Sequence, residues 1–276
     1  QVKQFARSQG ADLVGVGNIE RWQGAPPHMD PRNIFPDARS VIVIGARIPR
    51  GCYRGIEEGT LFTSYPSYGY KRLNADFRPL ITYRTARFIE ETSGYEAVPV
   101  PPHPPDNWPH GEPVAKSKIP PDVYPQFRIA AVACGLGEIG YSKVFLSPEF
   151  GPRQRLGMIL TDAELDPDPL FDGQICDRCG ACVATCPAGA LLSDTEITIN
   201  IAGKEMVHAD IDCGRCHLGH WGASPETSPF VAKAFPGLKF DIREQNLAWG
   251  TEAGNFVTGL MEHVPFYQMM WTQVSG

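Results

Sequence analysis

No stretch of the chain approaches the roughly 18 consecutive apolar residues of a spanning helix, so no integral membrane segment is expected. The start also lacks the basic residues and apolar run of a secretory leader, although the chain begins with Gln1 rather than methionine, which leaves room for a removed leader or a trimmed start. An excess of positive charge is missing too. The 25 basic residues face 31 acidic ones, and a net charge of -6 argues against a nucleic-acid partner held through its phosphates. With 42% hydrophobic and 20% charged residues, the composition is neither that of a disordered chain nor that of a coiled coil. Cysteine is almost absent before residue 176, where only Cys52 and Cys134 occur, which excludes a disulfide framework across the larger part of the chain.

The other six cysteines crowd between 176 and 216. Cys176-Asp-Arg-Cys179-Gly-Ala-Cys182-Val-Ala-Thr-Cys186-Pro187 is the C-x2-C-x2-C-x3-C-P spacing that holds iron-sulfur clusters in bacterial ferredoxins. Closely spaced thiolates wrap one face of a cubane, and Gly180 and Ala181 keep bulky side chains away from the sulfides. The cysteine before the proline turns away and, in two-cluster ferredoxins, ligates the other cluster. Structural zinc fits less well, because zinc ribbons use paired C-x2-C knuckles.

A second half-motif, Cys213-Gly-Arg-Cys216-His217-Leu-Gly-His220, keeps the C-x2-C start but has a histidine where a third cysteine would stand. Six cysteines cannot complete two all-cysteine cubanes. Either one 4Fe-4S cluster is present, or there are two and nitrogen ligands such as His208, His217 or His220 fill the gaps.

Buried strands are expected at Leu13–Val16, Val41–Ile44, Glu96–Val100, Ile129–Ala133 and Met158–Thr161, and such unbroken apolar runs suggest a sheet covered on both faces. Leu80, Ile81, Phe88 and Ile89 recur at helical spacing, so Arg78–Thr92 is expected as an amphipathic helix that stops at Gly94. Pro99–Pro125 holds ten of the 26 prolines and is too long for a plain connection, which suggests a lid or one wall of a substrate pocket. Asp166-Pro-Asp-Pro169 separates this region from the cysteine-rich one. The aromatic residues of the tail, Trp249, Phe256 and Trp271, are expected to pack on the main domain.

Ala133-Cys-Gly-Leu-Gly-Glu-Ile-Gly140 and Gly151-Pro-Arg-Gln-Arg-Leu-Gly-Met-Ile-Leu-Thr-Asp162 lead directly into the cluster motif, after Ala11-Asp-Leu-Val-Gly-Val16 and Phe35-Pro-Asp-Ala-Arg-Ser-Val-Ile-Val-Ile44. This order of segments over roughly residues 10 to 222 resembles the superfamily of epoxyqueuosine reductases and reductive dehalogenases. The resemblance implies an α+β fold: a nitroreductase-like α/β core at 1–168, a ferredoxin-like iron-sulfur module at 169–222 and a tail at 223–276. It also implies a cobalamin bound base-off against the glycine loop, at Cys134, Gly135, Leu136, Gly137 and Gly140, with clusters that relay single electrons to cobalt. The acid motif D-x-x-P of the tRNA-modifying members is matched loosely by Asp122-Val-Tyr-Pro125, one residue nearer the glycines. The helical repeats of those members have no counterpart here, so tRNA is not expected as substrate. Dehalogenases pair a tyrosine with a basic residue, and Tyr124, or Tyr70 beside Lys71, matches that by type.

The expected activity is therefore reduction of a small organic substrate, with Asp122 or Tyr124 as proton donor. Electrons are expected from an external donor such as ferredoxin or flavodoxin. Two alternatives stay open: an electron-transfer or activating protein that reduces a partner's cofactor, and a reductase that uses FMN on the same core. An oxygen-sensitive cluster places the expected protein in the cytoplasm of an anaerobic cell. Metal analysis of anaerobically purified protein should find iron and acid-labile sulfide in equal amounts, both lowered by serine at Cys176, Cys179 or Cys182. Zinc without sulfide would end the cluster reading.

Overall fold

A computed structural model describes residues 1–61, 63–101, 111–220, 223–226, 228–245, 255 and 259. In chain order the elements are α1 (Val2–Ser8), β1 (Leu13–Asn18), β2 (Ser40–Arg47), α2 (Arg54–Glu57), a π-helix over Tyr65–Phe77 that runs into α3 (Arg78–Ser93), β3 (Ala97–Val100), α4 (Phe127–Ala133), β4 (Glu138–Ile139), β5 (Phe145–Leu146) and β6 (Gln154–Thr161). After the Asp-Pro linker follow α5 (Ala181–Ala184), β7 (Leu191–Ile201), β8 (Lys204–Ile211), α6 (Cys213–His220) and α7 (Pro229–Ala234).

The apolar run Val41–Ile44 lies in the interior of a four-stranded sheet of order β1-β2-β6-β3, antiparallel at every pairing. Its four side chains are fully buried because both faces of the sheet are covered. Val41 and Val43, with Met158 and Leu160 of β6, face α4 and Phe145. Ile42 and Ile44, with Ile159, face α1 and α3, where Ile81, Ala86 and Ile89 supply the apolar stripe. Leu80, expected on that stripe, is 45% exposed. α3 ends where Gly94 enters the left-handed region at φ 73° and donates its N–H to the Glu90 carbonyl.

One expected strand is a helix. Ile129–Ala133 belongs to α4, and the reason is local: a short apolar run is compatible with either state, and Ala130, Ala131 and Ala133 favour helix and are buried all round. The hairpin of β7 and β8 was not anticipated, although Ile197, Ile199 and Ile201 alternate and Ala202-Gly203 turns with φ 51° and 83°. The aromatic residues Trp249, Phe256 and Trp271 and positions 102–110 of the proline-rich stretch lie outside the described residues.

Close approach joins the parts. A Cβ on Gly15 of β1 would sit 2.4 Å from the Cys134 carbonyl oxygen, and one on Gly17 would sit 2.8 Å from that of Ala133. Arg21 then donates to the Ala133 carbonyl at 2.6 Å and to the Asp168 carbonyl at 2.7 Å, tying the end of α4 to the linker. The Asp168 carboxylate accepts the Val16 N–H at 2.8 Å and pairs with Lys3, so the linker is strapped along β1.

Alanine at Gly137 should cost about 3 kcal/mol or more, because its φ of 154° suits only glycine and a Cβ would fall 2.0 Å from the Leu146 carbonyl oxygen. Alanine at Gly94, with open space around it, should cost only about 1 kcal/mol. Denaturant unfolding under anaerobic conditions compares the two, and equal losses would mean that β5 yields freely.

Candidate functional site

The first three motif cysteines are presented by a loop held to the glycine loop by backbone polarity. Glu138 of β4 accepts the N–H groups of Ile175 at 2.9 Å and Cys176 at 2.6 Å on one oxygen. Two residues past the glycines' glutamate–isoleucine pair, the Tyr141 N–H points at the Cys176 sulfur at 3.3 Å. The loop then turns with positive φ at Arg178 and Gly180 and enters α5, which carries Cys182. Asp177 accepts the Cys179 N–H at 3.1 Å, and hydrogen bonding from Cys179 holds its carboxyl below the usual range. Arg178 lies 5.0 Å over the Tyr141 ring and pairs with Glu196, which also accepts the Tyr141 hydroxyl at 3.0 Å.

Cys186 follows α5 and closes the motif. Its sulfur accepts the Ala190 N–H at 3.3 Å, and the Ala190 carbonyl accepts the N–H of Asp212, the residue that precedes α6. Burial pushes the Cys216 thiol up, and the charges of Cys213 and Cys186 push it further. Among the described residues no three His, Cys, Asp or Glu side chains converge on a single-ion site. The fit to iron-sulfur clusters therefore rests on the donor set: six cysteines, with amide N–H donors already aimed at the sulfurs of Cys176 and Cys186.

The histidines take other positions. His208 is buried on β8 with Nδ1 2.8 Å from the Ala209 carbonyl oxygen. His220 sits with its ring 5.7 Å from that of Tyr70 on the π-helix, and burial, with Arg155 and His217 next, pulls its pKa down. Burial also lowers His217. Cys52 and Cys134 are buried apart from the motif, and burial raises both thiols above the ordinary cysteine value.

The glycine loop is packed from within. A Cβ on Gly135 would meet the Pro169 carbonyl oxygen at 2.1 Å, and one on Gly137 that of Leu146. Leu136 is tucked into the core beneath β1. The close approach that the sequence suggests for a flat cofactor is taken up at these two glycines by the chain's own backbone. Gly140 has the Leu146 side chain on its open side and the Cβ of Cys176 beyond it, 3.7 Å from where its own Cβ would be.

Asp122 and Tyr124 are brought together: the Tyr124 hydroxyl donates to the Asp122 carboxylate at 2.9 Å, and the Tyr124 N–H donates to the His28 carbonyl. Asp122 lines a cavity of about 490 Å³, with Pro101, Val114, Lys118 and Pro121 of the proline-rich stretch on one side and Arg32 and Val98 on the other. Tyr70 acquires a basic neighbour, but it is Arg155 of β6, 5.2 Å over its ring. Glu138, Tyr141, Arg78 and Arg155 were not singled out from the sequence, although Glu138 stands inside the Gly-Leu-Gly-Glu run.

Residues 169–192 match the family of 4Fe-4S binding domains. The chain is 31% identical over 141 residues to the tetrachloroethene reductive dehalogenase of Sulfurospirillum multivorans, covering 48% of this chain and 27% of that enzyme. It is 27% identical over 171 residues to the epoxyqueuosine reductase of Synechococcus sp. (strain CC9605), covering 62% and 46%. The chain thus spans less than half the length of these relatives, both of which are reductases. A reductive dehalogenase structure described in terms of B12-dependent dehalogenation shares the fold, with a TM-score of 0.53 at 17% identity, covering 99% of this chain and 35% of that one. A structure of an epoxyqueuosine reductase with a tRNA stem loop is also matched, at 15% identity and a TM-score of 0.44, covering 68% and 51%. The expectation that no nucleic acid is bound gains no support from these relatives. Among the described residues no helix is long and apolar enough to cross a membrane.

Burial, and then the hydrogen bond to Asp122, raises the Tyr124 phenol above its ordinary value of 10. The neutral phenol is thus favoured in the folded chain, and the stability tied to it is present below pH 10 and lost as pH rises through the raised value. The ultraviolet titration difference between wild type and Y124F should show a midpoint above 10 that moves down in D122N. A midpoint already at 10 in wild type would dissolve the pair.

Proposed function

We propose that the chain is an iron-sulfur reductase acting on a small organic substrate, with a corrinoid as the centre that meets the substrate. The observation that carries the reading is the C-x2-C-x2-C-x3-C-P run in a 4Fe-4S binding segment, with backbone N–H groups directed at Cys176 and Cys186. Cys176, Cys179 and Cys182 hold the first cluster in this reading, while Cys186 joins Cys213 and Cys216 at a second, as the cysteine before the proline does in two-cluster ferredoxins. The relatives, all reductases, support the reaction class.

A corrinoid, when bound, supplies a low-potential metal centre that exchanges single electrons with a carbon substrate. The likeness to a B12-dependent dehalogenase fold supports that choice over FMN. Gly135 and Gly137 do not fit as its docking face, because carbonyls of Pro169 and Leu146 already fill it, and no step is assigned through it. The tasks of the chain's own residues are clearer. Tyr124 carries a proton at its hydroxyl and Asp122 orients it beside the cavity. Glu138 and Tyr141 hold the loop of the first cluster in register with the core. An external ferredoxin or flavodoxin is the assigned electron donor, in the cytoplasm of an anaerobic cell.

The filled glycine faces favour one second reading, an electron-transfer protein that reduces a partner's cofactor. Electron paramagnetic resonance of the dithionite-reduced protein should show two coupled cluster signals. Serine at Cys186 or Cys216 should remove one, and serine at Cys179 the other. If the Cys186 variant behaves like the Cys179 variant, a single cluster is present. Anaerobic uptake of cobalamin with a Co(II) signal supports the reductase, and refusal of cobalamin by cluster-loaded protein supports the carrier.

A further inference from the structure

Tyr141, the second residue past β4, is buried, and each of its polar groups is bound to the cysteine-rich part of the chain. Its N–H points at the Cys176 sulfur at 3.3 Å, its carbonyl accepts the Ala209 N–H of β8 at 2.9 Å, and its hydroxyl donates to Glu196 of β7 at 3.0 Å. The Arg178 guanidinium lies 5.0 Å over the ring and also pairs with Glu196. A cation and an anion therefore meet on one side chain, and the cation stands inside the cysteine run, next to Cys179.

Two departures from regular backbone bring these charges together. Arg178 holds φ 57°, in the left-handed region that favours glycine. A glycine there would relieve the strain but remove the guanidinium. Glu196 follows an interruption of the hairpin: Leu192 faces Asp210 and Glu196 faces Ala209, so Ser193, Asp194 and Thr195 have no partner in the register. A bulge of this kind re-aims a side chain, and here it delivers a carboxylate to Tyr141 and Arg178. Both irregularities serve the same ion pair.

An iron-sulfur cluster gains negative charge when it accepts an electron. A nearby cation favours the reduced form and a nearby anion the oxidised one, so charge and hydrogen bonds around the sulfurs set the potential. The side chains of Arg178 and Glu196 are 49% and 44% exposed, and solvent screening makes the effect of each moderate.

We propose that Arg178 and Glu196, held on Tyr141, are opposed charges that set the reduction potential of the cluster bound by Cys176, Cys179 and Cys182. The inference rests on the cluster part of the reading above and deepens it, since it names what regulates electron entry at that site. Arg178 raises the potential and Glu196 lowers it. Tyr141 acts as a positioning residue, orienting the carboxylate through its hydroxyl and seating the guanidinium on its ring.

The test is a redox titration of the anaerobically purified full chain followed by electron paramagnetic resonance, with iron and sulfide measured on every sample. The midpoint lost in C179S identifies the first cluster. R178Q should lower that midpoint and E196Q should raise it, each changing the ratio of reduced to oxidised cluster at a fixed potential by about threefold or more. The two substitutions combined should return the midpoint towards wild type, and R178K, which keeps the charge, should stay close to it. R178G, which suits the backbone at φ 57°, takes the place of R178Q if that variant takes up no iron. Shifts of the same sign in the arginine and glutamate variants, or no shift at full iron content, would overturn the proposal. Loss of iron in R178Q, R178G and E196Q alike would make the contacts structural and overturn it as well. Wild-type protein without iron and sulfide would overturn the cluster reading and this inference together. Protein that shows the opposed shifts but refuses cobalamin would overturn the corrinoid alone.

Discussion

Gly15 and Gly17 leave room on β1 for the carbonyls of Cys134 and Ala133, and the path of the loop that carries Glu138 and Tyr141 starts from that contact. With the end of α4 pressed to the sheet, the following loop has one path, and its own glycines are in turn filled by Pro169 and Leu146. Glu138 and Tyr141 therefore emerge at a fixed place, where one carboxylate oxygen and one amide N–H hold the loop that begins at Cys176. Any side chain at Gly15 would push α4 outward and break the register between the sheet and the cysteine motif. The physical constraint is steric, and the electrostatic contacts serve to lock it.

The two halves of the chain handle polarity differently. In the sheet, burial is mainly apolar on both faces, and the hydrophobic term dominates. At the cysteine end few residues are buried, and the loop is shaped by hydrogen bonds from the backbone to Glu138, Asp177 and the sulfurs themselves. A cluster would replace much of the missing core there, in the way that metals commonly stabilise small modules. The long β7–β8 hairpin supplies a rigid arm, returning Glu196 to the Arg178–Tyr141 stack.

Arg78 runs against the economy of the rest of the fold. Proteins retain unpaired buried charge mainly where function requires it, accepting lower stability at the site. Its neighbours are rings and another guanidinium, and its charge is held in place by the carbonyls of Leu156 and Asn74. The Asp122–Tyr124 pair is the opposite case, a polar pair satisfied internally, in which the phenol holds its proton.

Much of this was legible from residue order alone. Four of the five apolar runs are strands, α3 stops at Gly94, and the cysteine spacing names its chemistry, because these depend on periodicity, backbone conformation and local ligand geometry. Ile129–Ala133 was misread because a short apolar run carries no period to separate strand from buried helix. The role of Gly135 and Gly137 was equally ambiguous, since a glycine shows that something comes close without saying what, and only the packed chain identifies the visitor as its own carbonyls. The sequence likewise offers Cys176, Cys179, Cys182, Cys186, Cys213 and Cys216 as candidate ligands, but it could not divide them. The meeting of the Tyr141 N–H with the Cys176 sulfur, and of Arg155 with the Tyr65 hydroxyl, joins residues far apart along the chain. Such meetings are decided by which surfaces pack, a property of the folded whole that no local pattern of residues encodes.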